Sequence, residues 1–453
     1  MTSPQPLLKG EGKIMKTIFK KVIVYILKIE SRLALSRYKP KIIAVTGSMG
    51  KTSTKDAVYA VLSKISFVRK SEKSFNSEIG LPLTILGVPN GWNNPFIWFL
   101  NILKGLWLVL NPFESYKYPK WLVLEVGISK PGDMKKNASW LKTDAVIMTA
   151  IGDTPSHVEF FNSYKHLVEE KSQLIKTLKK DGILILNGDD KIILGMKEKS
   201  KHLTVTYGFT EGADILGSGD AIFYSDERGA RGRVISDTAS ESMSAQSTLY
   251  NKDSEPEGII FRVDEGGSSL PVVIEKVFGR NHVYAALSAL ALSSVLKFNM
   301  LDAVNALKNY DVAPGRMRLL KGINDCLIID DTYNSSPQAC ESALKTLGEI
   351  KSKNADDLSA QTGRKIAILG DMLELGRHTL SAHKNIGQIA KEILTENSNE
   401  NANALIVVGQ RARAIKEGAI EAGMNIENIF EFLDSSEAGN FIKTFARKDD
   451  LIL

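Results

Sequence analysis

The sequence predicts an α/β protein built from two units with mostly parallel sheets, and three observations carry that expectation. The run Ile42-Ile43-Ala44-Val45 ends in small residues, a lysine and hydroxyls, and helical spacing resumes from Asp56. Continuous apolar runs at 121–127, 145–150 and 182–190 end at or lead into polar turns, as strands buried on both faces do. Beyond Pro314-Gly315-Arg316, strands at 326–330, 365–369 and 404–408 alternate with helices starting at Pro337, Ser381 and Arg411.

In chain order, residues 1–39 form the first segment. Residues 1–14 are polar and lack periodicity, and read as a disordered leader or as residues upstream of a start at Met15. Ile18, Phe19, Val22, Ile23, Ile26, Ile29 and Leu33 then recur at helical spacing among Lys16, Lys20, Lys21, Lys28, Arg32 and Arg37. A basic amphipathic helix of this kind either lies on an anionic membrane surface or packs on the next domain. Acidic and basic residues interrupt its apolar runs, which excludes a signal peptide and a membrane span.

Residues 40–310 read as the central domain. In Gly47-Ser48-Met49-Gly50-Lys51-Thr52-Ser53, glycine lets the backbone approach a polyphosphate, N–H groups converge on its oxygens, and the helix N-terminus adds favourable potential. Lys51 would neutralise outer phosphates and Thr52 would offer a hydroxyl to Mg²⁺. Val45 stands five residues before Gly50, where the common loop has glycine, so this is a shorter variant of a P-loop ATPase-like domain.

Asn76 lies in a polar loop, and residues 92–120 form a hydrophobic insertion whose stretch 96–110 is broken only by Asn101, Lys104 and Gly105. That stretch suits a buried helix, a partner-binding helix or an interfacial anchor, with surface association favoured. Glu125 ends a strand, which is how parallel sheets deliver a metal ligand to their carboxyl edge. The next strand leads to Asp153 and His157, and a helix over 163–178 carries Lys171. Short alternating runs between 203 and 277 predict an antiparallel meander with a polar excursion near 225–257. A small-residue helix spans 280–298, and residues 311–453 form the C-terminal Rossmann-like α/β domain.

A chain of 453 residues supports two or three domains, and 43% apolar with 24% charged residues is ordinary for a globular protein. The net charge of +6 fits anionic substrates or lipid, and there is no aromatic-basic platform for nucleic acid. Cys326 and Cys340 cannot build a zinc ribbon or a disulfide framework, so a reducing cytoplasm is the natural setting.

Lys51, Thr52, Glu125 and His157 sit at strand ends of one predicted sheet and could meet around a nucleotide and Mg²⁺, which favours carboxylates, phosphates and water. Residue type alone favours a turn role for His157 and a solvated Lys171. Arg316, after a hinge, could reach phosphates across domains, and the segment from Asp330 through Asp331 to Tyr333 and Asn334 suits ribose or base.

The order of these pieces, with 186–190, 279–291 and Gly370-Asp371-Met372-Leu373-Glu374-Leu375-Gly376, resembles the Mur ligase family over roughly residues 40–453. Within it, the motifs at 329–337 and 369–376 look most like the branch that joins D-alanyl-D-alanine to a UDP-linked muramoyl tripeptide. The resemblance implies an ATP-dependent amide ligase, a cytoplasmic monomer of cell-wall precursor synthesis working through an acyl phosphate. By position, 47–53 hold ATP with Asn281, Arg316 and Asp331; Thr52 and Glu125 bind one Mg²⁺; His157 and a carbamylated Lys171 serve a second; Asn76, Tyr333 and Asn334 face substrate. Lys51, His157, Lys171 and Arg316 carry the catalysis.

The family's usual uridine-binding domain needs more residues than precede Ile42, and relatives continue beyond Leu453, so a truncated reading frame is one expectation. The adenine-side helix reads Gly279-Arg280-Asn281-His282, where the family order puts histidine before asparagine. Two other readings compete: a same-fold ligase with another acid and amine, folylpolyglutamate-like or poly-amino-acid, and a membrane-associated binding protein without turnover. Lys51-Thr52-Ser53 argues against the folate branch, where glycine follows the lysine.

Overall fold

The computed structural model describes residues 8–72, 75–111, 117–152, 158–225, 233–235, 255–351, 363–395 and 403–453. Strands β1 (Lys41–Thr46), β2 (Val68–Lys70), β3 (Trp121–Glu125), β4 (Thr143–Met148), β5 (Leu178–Asn187), β6 (Leu203–Gly208), β7 (Ile215–Ser225), β8 (Arg233–Ile235), β9 (Glu255–Glu265) and β10 (Ser268–Glu275) form the first sheet. Their order is β10-β9-β7-β6-β5-β4-β1-β3-β2, with β8 on β7. The pairs from β2 through β7 are parallel, and β7, β9 and β10 run antiparallel. The expected meander is therefore the flank of the main sheet, and most of its polar excursion lies outside the described residues.

The first unit carries helices α1 (Leu8–Tyr38), α2 (Lys51–Ser63), α3 (Gly80–Leu86), α4 (Pro95–Leu110), α5 (Asp133–Ala138), α6 (Tyr164–Ser172), α7 (Lys191–Leu194), α8 (Arg280–Val295) and α9 (Met300–Ala306). The burial of β1 and β3 on both faces follows from layering. Ile43, Val45 and Val123 pack with Val58 and Val61 of α2 and Leu290 of α8, while Ile42, Ala44 and Leu124 pack with Leu81 and Ile85 of α3 and Leu167 of α6. The helix expected over 163–178 stops at Ser172, followed by a 3₁₀ turn and then by β5 from Leu178.

The second unit has strands β11 (Arg318–Lys321), β12 (Leu327–Asp330), β13 (Lys365–Gly370), β14 (Ala404–Val408), β15 (Ile429–Phe432) and β16 (Leu451–Ile452), in the order β11-β12-β16-β13-β14-β15. Helices α10 (Pro337–Glu349), α11 (Thr379–Thr395), α12 (Arg413–Glu421) and α13 (Ser435–Phe445) connect them. Leu451 and Ile452, at the end of the chain, sit between β12 and β13 and pair in parallel with both.

Candidate active site

The phosphate loop joins β1 to α2, at the carboxyl edge of the sheet. Gly50, at φ 74°, caps α2 in the left-handed region that favours glycine. Gly47 is required by crowding, since a Cβ there would lie 2.0 Å from Thr149 Oγ1. The N–H groups of Ser48 and Met49 donate to the Ala150 carbonyl at 2.6 and 3.3 Å, which leaves the phosphate cradle to the first turn of α2. Ser48 Oγ is buried without a hydrogen-bond partner, an orphaned polar atom of the kind a bound oxyanion satisfies.

Lys51 Nζ folds back to donate to the carbonyls of Gly47 and Ser48, each at 3.0 Å. Desolvation lowers its pKa, with Glu125 opposing that shift and Arg316 adding to it. Thr52 Oγ1 donates to Glu125 Oε2 at 3.0 Å, and Asn76 Nδ2 donates to Oε1 at 3.1 Å. A hydroxyl and a carboxylate held together beside the loop form a hard-oxygen pair suited to Mg²⁺. Among the described residues no cluster of three or more His, Cys, Asp and Glu could hold a metal.

Lys171 Nζ is buried behind the loop and donates to the Gly47 carbonyl at 2.9 Å. Its desolvation, reinforced by the nearby Lys51 charge, drives its pKa well below the ordinary lysine value. The structure thus takes Lys171 out of the expected solvated role. His157 and Asp153 lie outside the described residues.

The second unit closes the cleft. Arg316, Asp331, Tyr333 and Asn334 share a cleft of about 310 Å³ with Ser48 to Ser53, Asn76, Glu125 and Asn281. The Arg316 guanidinium lies 4.1 Å from the centre of the Tyr333 ring, a cation–π contact that fixes its direction. Burial pushes Asp331 up to about 7, against the opposing pull of Arg316. An adjoining cavity of about 510 Å³ runs past Asp189, Tyr284 and Asn281.

Residue-type reasoning missed the group that holds this closure. His282 Nε2 lies 3.0 Å from the Arg316 carbonyl, which can only accept, so Nε2 carries the proton and Nδ1 accepts from Tyr310 Oη at 2.8 Å. Ser53, in the first turn of α2, in turn hydrogen-bonds Tyr310. The loop and the arginine are therefore joined by one buried chain of side chains. Lys55 was also missed; it is fully buried 3.9 Å from Glu125 and 3.5 Å from Asp56. Its only sequence signal was a lysine one helical turn after Lys51.

Comparison with known proteins decides the family. The model described as "Mur ligase middle domain" matches residues 45–97 and 108–292, and the one described as "Mur ligase, glutamate ligase domain" matches 315–453. The chain belongs to the Mur ligase family. This Mur ligase is 26% identical over 415 residues to the UDP-N-acetylmuramoyl-tripeptide–D-alanyl-D-alanine ligase of Bacillus subtilis, covering 91% of this chain and 72% of the relative. The same-named ligase of Mycobacterium leprae is 26% identical over 422 residues, covering 91% and 70%.

Among solved structures, MurF from Acinetobacter baumannii superposes with a TM-score of 0.68 at 20% identity, covering 95% of this chain and 77% of that one. MurF from Thermotoga maritima, in complex with ADP, gives 0.67 at 21% identity, covering 95% and 79%. A folylpolyglutamate synthase from Mycobacterium tuberculosis complexed with ADP gives 0.59 at 12% identity, covering 93% and 87%. Membership of the Mur ligases makes the chain an ATP-dependent ligase.

Proposed function

We propose that this Mur ligase joins D-alanyl-D-alanine to a UDP-N-acetylmuramoyl tripeptide in the cytoplasm, as a monomer in peptidoglycan precursor synthesis. The observation that carries the reading is the single cleft in which the loop of one unit meets Arg316, Asp331 and Tyr333 of the other. Both curated relatives described above bear the name of that reaction.

In this reading the substrate carboxylate attacks the γ-phosphate of ATP, ADP leaves, and an acyl phosphate forms. The incoming amine then adds to the carbonyl, and the tetrahedral intermediate expels phosphate. Lys51 and Arg316 stabilise charge on the transferring phosphoryl group, and the first turn of α2 holds the remaining phosphate oxygens. Thr52 and Glu125 would hold a Mg²⁺, which supplies Lewis-acid stabilisation of phosphate charge when bound. Lys171, with His157, is assigned to a second metal. Its neutral amine would add to CO₂ and release a proton, giving a carbamate whose negative charge faces Lys51. Asp331 accepts from ribose hydroxyls, Asn281 lies on the adenine side, and Asn76, Tyr333 and Asn334 face the acyl substrate.

The test is ADP release with the UDP-muramoyl tripeptide and D-alanyl-D-alanine, each omitted in turn. Release that requires both supports the reading. Release driven by another acid, such as a folylpolyglutamate, would move the chain to a different branch of the fold, and no substrate-dependent release would overturn the assignment.

A further inference from the structure

The outward face of α4 is apolar from end to end. Phe96, Phe99, Leu103, Leu106, Trp107 and Leu110 fall within one arc of the helix and are 44–65% exposed. The opposite arc, with Trp98, Asn101 and Gly105, is buried, and Trp98 packs with Ile23 and Leu27 of α1 and Leu83 of α3. A helix this apolar and yet half exposed has a second surface to cover. α1, which packs against α4, carries an exposed stripe of its own at helical spacing, with Val22, Tyr25, Ile29 and Leu33.

Two further observations bear on what covers this surface. The charge carried by the two helices is mostly of one sign, with Glu78 as an acid near Lys28. Over 20–38, α1 carries Lys20, Lys21, Lys28, Arg32 and Arg37 against Glu30 alone, which is buried, and α4 holds Lys104 and no acid. Lys28 Nζ donates to the Lys136 carbonyl, which ties α1 to the neighbouring helix α5. The family match is also interrupted at residues 98–107, the middle of α4, so this face lies outside what the family model describes.

We propose that the α1–α4 face docks the protein flat on an anionic lipid surface, with the aromatic and leucine arc at the headgroup boundary and the basic rim on anionic headgroups. At 1.5 Å per residue α4 lies about 24 Å along the bilayer plane. No helix among the described residues is long and apolar enough to cross a membrane, so the contact is peripheral. A second copy fits less well, since symmetric pairing of the two faces would bring like-charged rims together.

The experiment is co-sedimentation of the full chain with vesicles of phosphatidylcholine alone and of phosphatidylcholine mixed with phosphatidylglycerol. The wild type is expected to sediment with the anionic vesicles, less so as salt rises. The double variant Phe99→Glu/Trp107→Glu should lose about tenfold or more of that binding while keeping its ADP release in solution. Because those changes touch α4, the variant Lys20→Glu/Lys21→Glu/Arg32→Glu is a second arm that leaves the apolar face intact, and it too should release the vesicles. Equal sedimentation of wild type and both variants would overturn the proposal. So would absence of sedimentation together with a dimer that Phe99→Glu/Trp107→Glu disperses, which would assign the face to a second copy.

Discussion

Lys171 Nζ and the Gly47 carbonyl oxygen are 2.9 Å apart, so the buried lysine supports the phosphate loop from behind. Burial and the nearby Lys51 charge drive its pKa well below the ordinary value, which disfavours the ammonium form and favours the neutral, nucleophilic amine. Protein equilibrated with ¹³C-bicarbonate is expected to show a carbamate carbon resonance that Lys171→Arg lacks. Removing CO₂ should depress turnover reversibly in the wild type alone. A wild-type spectrum without that resonance would leave Lys171 as a structural donor to the loop.

Glu125 is held by Thr52 on one oxygen and Asn76 on the other. Glu125→Gln keeps the shape and removes the charge. The Mg²⁺ concentration for half-maximal ADP release should rise about tenfold or more, the size expected when a metal site loses a supporting group. Asn76→Ala frees one carboxylate oxygen without removing charge and should give a smaller shift in the same direction. A metal requirement unmoved by Glu125→Gln would remove this pair from the metal site.

Asp331, raised to about 7 by burial, is mainly protonated at pH 6 and mainly ionised at pH 8. Only the carboxylate is a pure acceptor for ribose hydroxyls. ADP should therefore bind about tenfold more tightly at pH 8 than at pH 6, the ratio of ionised fractions about a midpoint near 7. Asp331→Asn should flatten that dependence in calorimetric titrations. An unchanged slope in the variant would place the titrating group elsewhere.

The parts of this site that were legible in the sequence are those where a polar group interrupts an apolar run. Glu125 ends a strand buried on both faces, and Lys51 and Thr52 open the helix just beyond another, where a charged residue has few reasons to be except chemistry. Lys171 carries no such mark, and only the order of motifs pointed to it, while Arg316 was marked only by the proline-glycine hinge before it. The His282–Tyr310 pair was invisible because its partners come from a helix start and a distant turn, and neither shows periodicity. β16 was illegible for a related reason. A two-residue strand has no pattern, and its burial is created by β12 and β13. The stretch 96–110 stayed ambiguous because α4 is apolar on both its packed and its outward face.

His282 ties the Arg316 backbone to Tyr310, and burial lowers its pKa to about 4 from 6.5. The unfolded chain thus binds the proton more readily, and the native state loses stability as pH falls through this window. Between pH 7 and pH 5 the contribution is about 2 kcal/mol. His282→Gln should remove that part of the pH dependence in denaturant unfolding. It should also lower turnover at pH 7 by loosening Arg316, and identical slopes for variant and wild type would refute the coupling.

The Arg364 guanidinium grips Asp450 with Nε on Oδ1 at 3.0 Å and Nη2 on Oδ2 at 2.7 Å, and both side chains are buried. The Arg447 N–H adds 2.7 Å to Oδ2, while the Leu451 N–H donates 2.8 Å to the Arg364 carbonyl. This ion pair anchors the two-residue strand β16 at the centre of the second sheet. Asp450→Ala would leave a buried guanidinium without its anion, which costs about 3–5 kcal/mol when one partner of such a pair is removed. The unfolding transition of the C-terminal unit should shift accordingly and separate from that of the phosphate-loop unit in calorimetry. Replacing both partners by apolar residues, Arg364→Met with Asp450→Leu, should recover much of the loss, since no uncompensated charge remains. A single-variant cost below about 1 kcal/mol would mean that the pair behaves as an exposed one and that β16 is held by its strand pairing alone.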